Sequence, residues 1–294
     1  MARNIILFHY DGPIAKDHKV TVRTLGHTLT HLQSAIDRAF LDLNYGAVVK
    51  HARLKAKDYP LTDFVVGQPA DGGYILDLFN AGRLKIVDRI NAAVSRAFND
   101  AANEVLPFVE SLVEQAEHRA AAVDGGAQRP TGFVGVVSAA DLSSQKARYA
   151  DRAINREIDQ VLSQIRVDRY EGSTLELKLA GDKAYPPYEF DALKSSRFHQ
   201  VVSKRTLGHP VQMTVKFRAL DGGNGSSHPV GKAIHKESSK VFIIHFKSAE
   251  DFNSVVPYMR ANNRPEVVII ACPVLEYEVF DWDAGDMFFI RLDR

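Results

Sequence analysis

The sequence predicts an α+β protein in two halves, an N-terminal α/β half with long helices and a C-terminal half of mostly antiparallel strands, a small sheet or partly open barrel. Three observations predict it. Apolar residues step by three or four through long segments of the first half. They alternate with polar residues through the last third. Between the two regions, Asp124-Gly125-Gly126-Ala127-Gln128-Arg129-Pro130 has the composition of a linker. A length of 294 residues points to about two domains. The expected division is an N-terminal α/β domain over 1–125, a linker strand and polar helix over 126–170, and a β-rich domain over 171–294.

Ile5 to Tyr10 is a continuous apolar run closed by Asp11-Gly12-Pro13, which reads as a central strand and a tight turn. Leu25, Leu29, Leu32, Ile36, Phe40 and Leu43 then place one apolar stripe on a helix, with Thr21 or Asp17 as its cap and Gly46 just past its end. Residues 48–57 alternate loosely as a strand would. Phe64-Val65-Val66 and Tyr74-Ile75-Leu76 flank a turn-rich stretch as a hairpin. A second helical pattern runs from Arg83 to about Val123, and Pro107 should divide or bend it, because proline lacks the backbone donor and clashes with the preceding turn.

Beyond the linker, Phe133 to Val137 reads as a short strand and Leu142 to Ile165 as a polar helix. Strands follow at 174–179, 211–218 and 242–247, each with one apolar and one polar face. Ser248-Ala249-Glu250-Asp251 opens a short helix through about Met259. Glu266 to Ala271, Val274 to Phe280 and Met287 to Leu292 complete the strands.

Hydrophobic content of 45% and charged content of 25% belong to an ordinary globular chain. The single cysteine, Cys272, excludes an intrachain disulfide framework and a cysteine-rich metal site, and its place at the end of an apolar run makes it a buried, inert thiol. The start lacks a signal-peptide pattern. No apolar stretch approaches the roughly 20 residues that span a bilayer. A cytoplasmic location with no membrane partner is the expectation.

Charge is unevenly placed. The chain carries a net +1, yet between Lys194 and Glu250 ten lysines and arginines face three acids, a local +7, with five histidines beside them. Lys216 and Arg218 fall on the polar face of one strand, and His245 and Lys247 on that of another. Lys204 and Arg205 precede the first strand, and Lys232, Lys236 and Lys240 lead to the second. If the strands are neighbours, these side chains share a face able to contact nucleic acid, with Tyr185, Tyr188 and Phe198 as stacking surfaces. The same charges could instead be neutralised by Glu276, Glu278, Asp281, Asp283 and Asp286 within the domain. The acidic helix bearing Asp100, Glu104, Glu110, Glu114 and Glu117 could also meet them from a partner half or subunit.

A small-ligand candidate lies where the first strand ends, at His9, Asp11 and His18, since loops at the carboxyl ends of α/β strands hold ligands. The competing reading is a local Asp-Gly turn. His27 and His31 have the four-residue spacing of a metalloprotease helix, but Thr28 stands where the glutamate base belongs, so a solvated or partner-facing surface is the better reading. The glycine-rich 221–227 lacks the P-loop spacing and reads as a mobile hairpin connection. Asp281, Asp283 and Asp286 lack the twelfth-position glutamate of a calcium loop, where Leu292 stands. Ser138 lacks the second glycine of a hydrolase elbow. No catalytic residue, cofactor or metal ligand is assigned.

Phe8-His9-Tyr10-Asp11-Gly12 with the downstream His18, the helix end Ala35-Ile36-Asp37-Arg38-Ala39, and the ending with Asp283-Ala284-Gly285-Asp286 resemble a family of bacterial proteins of unassigned function. Such families sit in mobile or phage-defence gene neighbourhoods, and the resemblance implies no chemistry. The sequence therefore leads to a non-catalytic binding protein contacting nucleic acid through the basic face of its β domain. The alternatives are a protein-interaction or self-assembling module without nucleic acid, and a metal-assisted enzyme using the Asp11/His18 region.

Overall fold

A computed structural model describes residues 4–46, 48, 52–67, 74–80, 85–102, 110–133, 139–223, 228–260, 265–282 and 285–293. In chain order its elements are β1 (Asn4–Asp11), α1 (Val22–Tyr45), α2 (Tyr59–Thr62), β2 (Val65–Val66), β3 (Tyr74–Asn80), α3 (Ile86–Ala102), α4 (Leu112–Asp124), β4 (Thr131–Gly132) and α5 (Ala139–Leu162). Then come β5 (Thr174–Ala180), β6 (Tyr188–Phe190), α6 (Ala192–Ser203), β7 (Arg205–Leu207), β8 (Val211–Asp221), β9 (Val230–His235), β10 (Val241–His245), α7 (Ala249–Arg260), β11 (Val267–Glu276) and β12 (Asp286–Leu292). The fold is α+β. Its compact units are Met1–Val48, Ala52–Pro107 and Lys146–Ser203 in one, and Val49–His51, Phe108–Gln145 and Lys204–Arg294 in the other.

In the first unit β1 is the centre of a five-stranded sheet ordered β2-β3-β1-β5-β6. Every pairing in it is antiparallel. The rule that ligands gather at the carboxyl ends of parallel strands therefore has no parallel sheet to act on here. Ile6, Phe8 and Tyr10 of β1 and Leu175, Leu177 and Leu179 of β5 form the buried face. Thr21 caps α1, its Oγ1 accepting from Thr24 N at 3.0 Å, and Gly46 closes the helix with φ at 65°. Thr28 rather than a leucine meets the sheet near the start of α1, its Oγ1 lying 2.8 Å from the Tyr10 hydroxyl.

Three local expectations change. Residues 52–57 are not a strand; a short 3-10 turn occupies Ala56–Asp58, and 49–51 lie outside the described residues. Lys204 is where the second unit resumes: β5 pairs with β1 and β6 with β5, so residues from 171 to 203, expected with the C-terminal β domain, fold with the first unit. A helix absent from the sequence reading, α6, starts after Asp191, whose Oδ1 accepts from Lys194 N at 2.7 Å. The division of the long helical pattern holds, as α3 and α4 are separate helices with 103–109 outside the described residues.

The second unit is a closed five-stranded barrel. β8 pairs with β9, β9 with β10, β10 with β12, β12 with β11, and β11 returns to β8. Only the β10–β12 pairing of that ring is parallel. α7 joins β10 to β11 and sends the buried Val255 into the barrel core, beside Phe217, Phe242, Ile244, Phe246 and Phe289. β8 is long and carries a register shift between Phe217 and Ala219, the kind of bulge that lets one strand curve around a barrel. The two strands expected at 266–271 and 274–280 are one, β11, running through Pro273. Proline is tolerated there because β11 changes neighbours at this point, pairing with β8 before it and with β7 after it.

α4 lies on the outside of the barrel. Ala116 and Val123 pack against Leu207, Ile270, Cys272, Val274, Phe288 and Ile290. β11 and β12 are thus buried on both faces, which explains their continuous apolar runs. Cys272 is fully buried and burial pushes its thiol up to about 12, so it is inert. Among the described residues no helix is long and apolar enough to cross a membrane.

Candidate nucleic-acid interface

The opposite side of the barrel has no helix described on it, and its three strands keep one face for solvent. On β8, Val211, Met213, Val215 and Phe217 point inward while Gln212, Thr214, Lys216 and Arg218 point out. On β9 the outward residues are Val230, Lys232 and Ile234, and on β10 they are Val241, Ile243 and His245. Lys216 stands opposite Ile234, and Lys232 opposite Ile243. Rather than being neighbours, β8 and β10 flank β9, which supplies Lys232 between them.

The nine nominated basic positions divide sharply. Arg205 Nη2 meets Glu276 Oε1 at 2.5 Å, and Lys236 Nζ meets Glu266 Oε2 at 2.5 Å. Lys240 Nζ donates to the carbonyl of Trp282 at 2.8 Å. His245 Nε2 lies 3.2 Å from Asp286 Oδ2, and Lys247 lies 3.9 Å from Asp251 one turn along α7. Lys204 is half-buried, and its carbonyl accepts from Tyr277 N at 3.0 Å. Lys216, Arg218 and Lys232 are exposed and have no hydrogen-bond or ion-pair partner among the described residues. Much of the local +7 is therefore consumed within the unit, and three cations on one face remain. Lys194 and Arg197 sit on α6 in the first unit.

The expected stacking residues serve other ends. Tyr185 donates to Asp88 Oδ1 at 2.6 Å, which pushes its hydroxyl up to about 12, burial adding to the effect. Tyr188 donates to Asn91 at 2.6 Å, and Phe198 is fully buried. All three belong to the first unit. The outward positions of β8, β9 and β10 carry no phenylalanine, tyrosine or tryptophan.

His235 ends β9 facing inward, 2% exposed, with Nδ1 2.9 Å from Ser238 Oγ and its ring edge-on to Phe133 at 5.0 Å. Burial lowers its pKa. It is a core residue, although it is one of the five histidines within the basic stretch 194–250. Of the glycine-rich 221–227, only Asp221–Gly223 are described, Asp221 Oδ1 accepting from Gly223 N at 3.0 Å; 224–227 lie outside the described residues.

In the first unit, His9 is half-buried on the outward face of β1, opposite Ile75 and Glu176, and its Nε2 is buried without a hydrogen-bond partner among the described residues. Asp11 is exposed, and its Oδ1 accepts from the adjacent Gly12 N at 2.8 Å, a contact confined to the turn itself. His18 is exposed, in a left-handed conformation with φ at 58° directly after Asp17 at 54°. Among the described residues no group of three or more histidine, cysteine, aspartate or glutamate side chains could hold a metal ion. His27 and His31 do not face solvent freely: His27 Nε2 lies 2.9 Å from the Gln160 carbonyl and His31 Nδ1 2.7 Å from Glu157 Oε2, so they fasten α1 to α5. Asp283 and Ser138 lie outside the described residues.

No family model matches the chain, and no curated protein or solved structure shows significant similarity to it.

Proposed function

We propose that the C-terminal barrel is a nucleic-acid-binding module whose outward β8–β9–β10 face takes the phosphates of a strand at Lys216, Arg218 and Lys232. The observation that carries this reading is the set of three exposed cations without partners among the described residues, gathered on one face while Arg205 and Lys236 are held by carboxylates. A cation already held by a carboxylate gains little by moving to a phosphate; a free one gains the full counterion release. The layout adds support by analogy alone. Numbered along the chain, the barrel strands close in the order one-two-three-five-four, with a helix between the third and fourth. That is the OB-fold layout, in which strands two and three and their loops bind oligonucleotides.

Binding of purified protein to short RNA, single-stranded DNA and duplex DNA tests it, between roughly 50 and 200 mM salt. Three phosphate contacts give a slope of about −2 in log K against log salt for a single strand, about sixteenfold over that range. A Lys216→Glu/Arg218→Glu variant should lose binding while remaining folded. Absent binding, or binding indifferent to the charge reversal, would sink the reading.

One feature favours a second reading. Between the cations lie Val230, Ile234, Val241 and Ile243, with Val241 41% exposed and no aromatic ring for a base to stack on. Aliphatic and basic residues interleaved in this way also suit an acidic protein surface or a second subunit. Salt-sensitive oligomers seen by size measurement without bound nucleic acid would support that reading instead.

A further inference from the structure

The outward row of β8 that carries Lys216 and Arg218 begins at Gln212, and Gln212 lines a cavity of about 190 Å3 on the outside of the barrel. Its walls come from β8, β11, β12 and the segment between α4 and β4, all within the second unit. The volume is below the roughly 300 Å3 at which pockets for drug-sized ligands begin. It suits one flat ring system rather than a whole nucleotide.

The polar groups of its walls form a pattern. Ile270, 2% exposed, supplies an apolar surface. Arg129 brings a guanidinium with no partner among the described residues, only its backbone carbonyl being used, by His209. Arg291 is exposed and only loosely held, its Nε 3.5 Å from Asp124. Asp293 accepts from the Gln212 side-chain amide through Oδ2, and Oδ1 has no partner among the described residues. The side-chain carbonyl of Gln128 is buried without a donor among the described residues. An unmet buried acceptor costs free energy until something donates to it.

Arginine only donates and aspartate only accepts, so a ring that satisfies both must offer two acceptors along one edge and donors along another. Among the bases, guanine does this. Its O6 and N7 take a bidentate arginine, and its N1–H and N2–H2 suit a carboxylate or an amide carbonyl. Adenine places a donor beside N7, which pairs with an amide rather than an arginine. We propose that this cavity takes an unstacked guanine base, read by Arg129 or Arg291 on one edge and by Asp293 with Gln128 on the other. A base held there compensates for the absence of aromatic residues on the basic face. The inference rests on the nucleic-acid reading for the strand attached to the base; a free guanine nucleotide offers the same edges.

The test is a titration of the full chain, followed in amide NMR spectra, with GMP, AMP, CMP and UMP separately. GMP should shift the Gln212, Ile270 and Asp293 amides saturably, with the other three at least about tenfold weaker, the size of one bidentate base contact. Asp293→Asn should weaken GMP by about the same factor while the rest of the spectrum stays unchanged. No response at these amides to GMP, or an equal response to all four nucleotides, overturns the inference. A second arm compares a guanine-containing single strand with an all-uridine one. If GMP is silent but the uridine strand binds and Lys216→Glu/Arg218→Glu abolishes it, the cavity fails and the nucleic-acid reading stands. If GMP binds and no strand does, the cavity stands as a free-nucleotide site and the strand reading fails.

Discussion

On one side of the barrel β11 and β12 bury both faces; on the other β8, β9 and β10 bury only the inner one. The difference is α4. Where Ala116 and Val123 of that helix lie on the sheet, the strands beneath read Val-Val-Ile-Ile-Ala-Cys and Met-Phe-Phe-Ile, apolar without interruption. Where no helix is described, each strand alternates, and the outward positions hold lysine, arginine and aliphatic residues. Beneath α4, Ile270, Cys272, Phe288 and Ile290 are buried, whereas Lys216, Arg218 and Lys232 on the other strands are exposed. The two sides of this barrel therefore differ in burial: one is packed beneath a helix of its own chain, and the other keeps an exposed outer face among the described residues.

Truncation on the covered side should have the largest effect. Ile290→Ala removes a side chain 3% exposed, packed beneath α4, and should cost about 2–5 kcal/mol of unfolding free energy by denaturant titration. Val241→Ala, on the open side and 41% exposed, should stay within about 0.5 kcal/mol. Equal losses at the two positions would mean that something covers the open side as α4 covers the other.

Next in size is a pH effect from the inner face of the open strands. Burial depresses the pKa of His235 in the folded chain below its unfolded value near 6.5. The unfolded state then binds a proton that the folded state refuses, so stability rises with pH through this window. The contribution is complete above the unfolded pKa and declines as the pH falls from about 6.5 toward the folded value. Thermal unfolding at pH 7 and pH 5 should show a larger drop for the native chain than for His235→Gln. An identical drop in both would place the pH sensitivity elsewhere.

How much of this contrast was legible in the sequence depends on which interactions are local. The caps of α1 and α7 were readable, because Thr21 and Ser248 bond within three residues of themselves. The alternation of β5, β8 and β10 was readable too, since period two requires only a buried inner face. Partnership was not. β5 alternates as β8 does, yet pairs with β1 some 170 positions earlier in the chain, and nothing in Leu175, Leu177 and Leu179 says which sheet they face. The basic stretch misled for the same reason. Arg205 and Lys236 look as free as Lys216 until the fold brings Glu276 and Glu266 to them. The cavity at Gln212 was invisible, since its walls are drawn from four separate segments.

The smallest predicted effect separates the paired cations from the free ones. Arg205 and Glu276 form an ion pair whose arginine side chain is 52% exposed, so solvent and salt screen most of the attraction. Arg205→Ala should change stability by less than about 1 kcal/mol. It should also leave nucleic-acid affinity and its salt slope unchanged, because a cation already satisfied within the fold displaces few counterions when a strand arrives. Lys232→Ala carries the same formal charge change from a position with no partner among the described residues, and should reduce the magnitude of the slope by about 0.7 on a single strand. If both variants lowered it equally, net charge alone would govern binding. The open face would then have no special standing over the rest of the barrel.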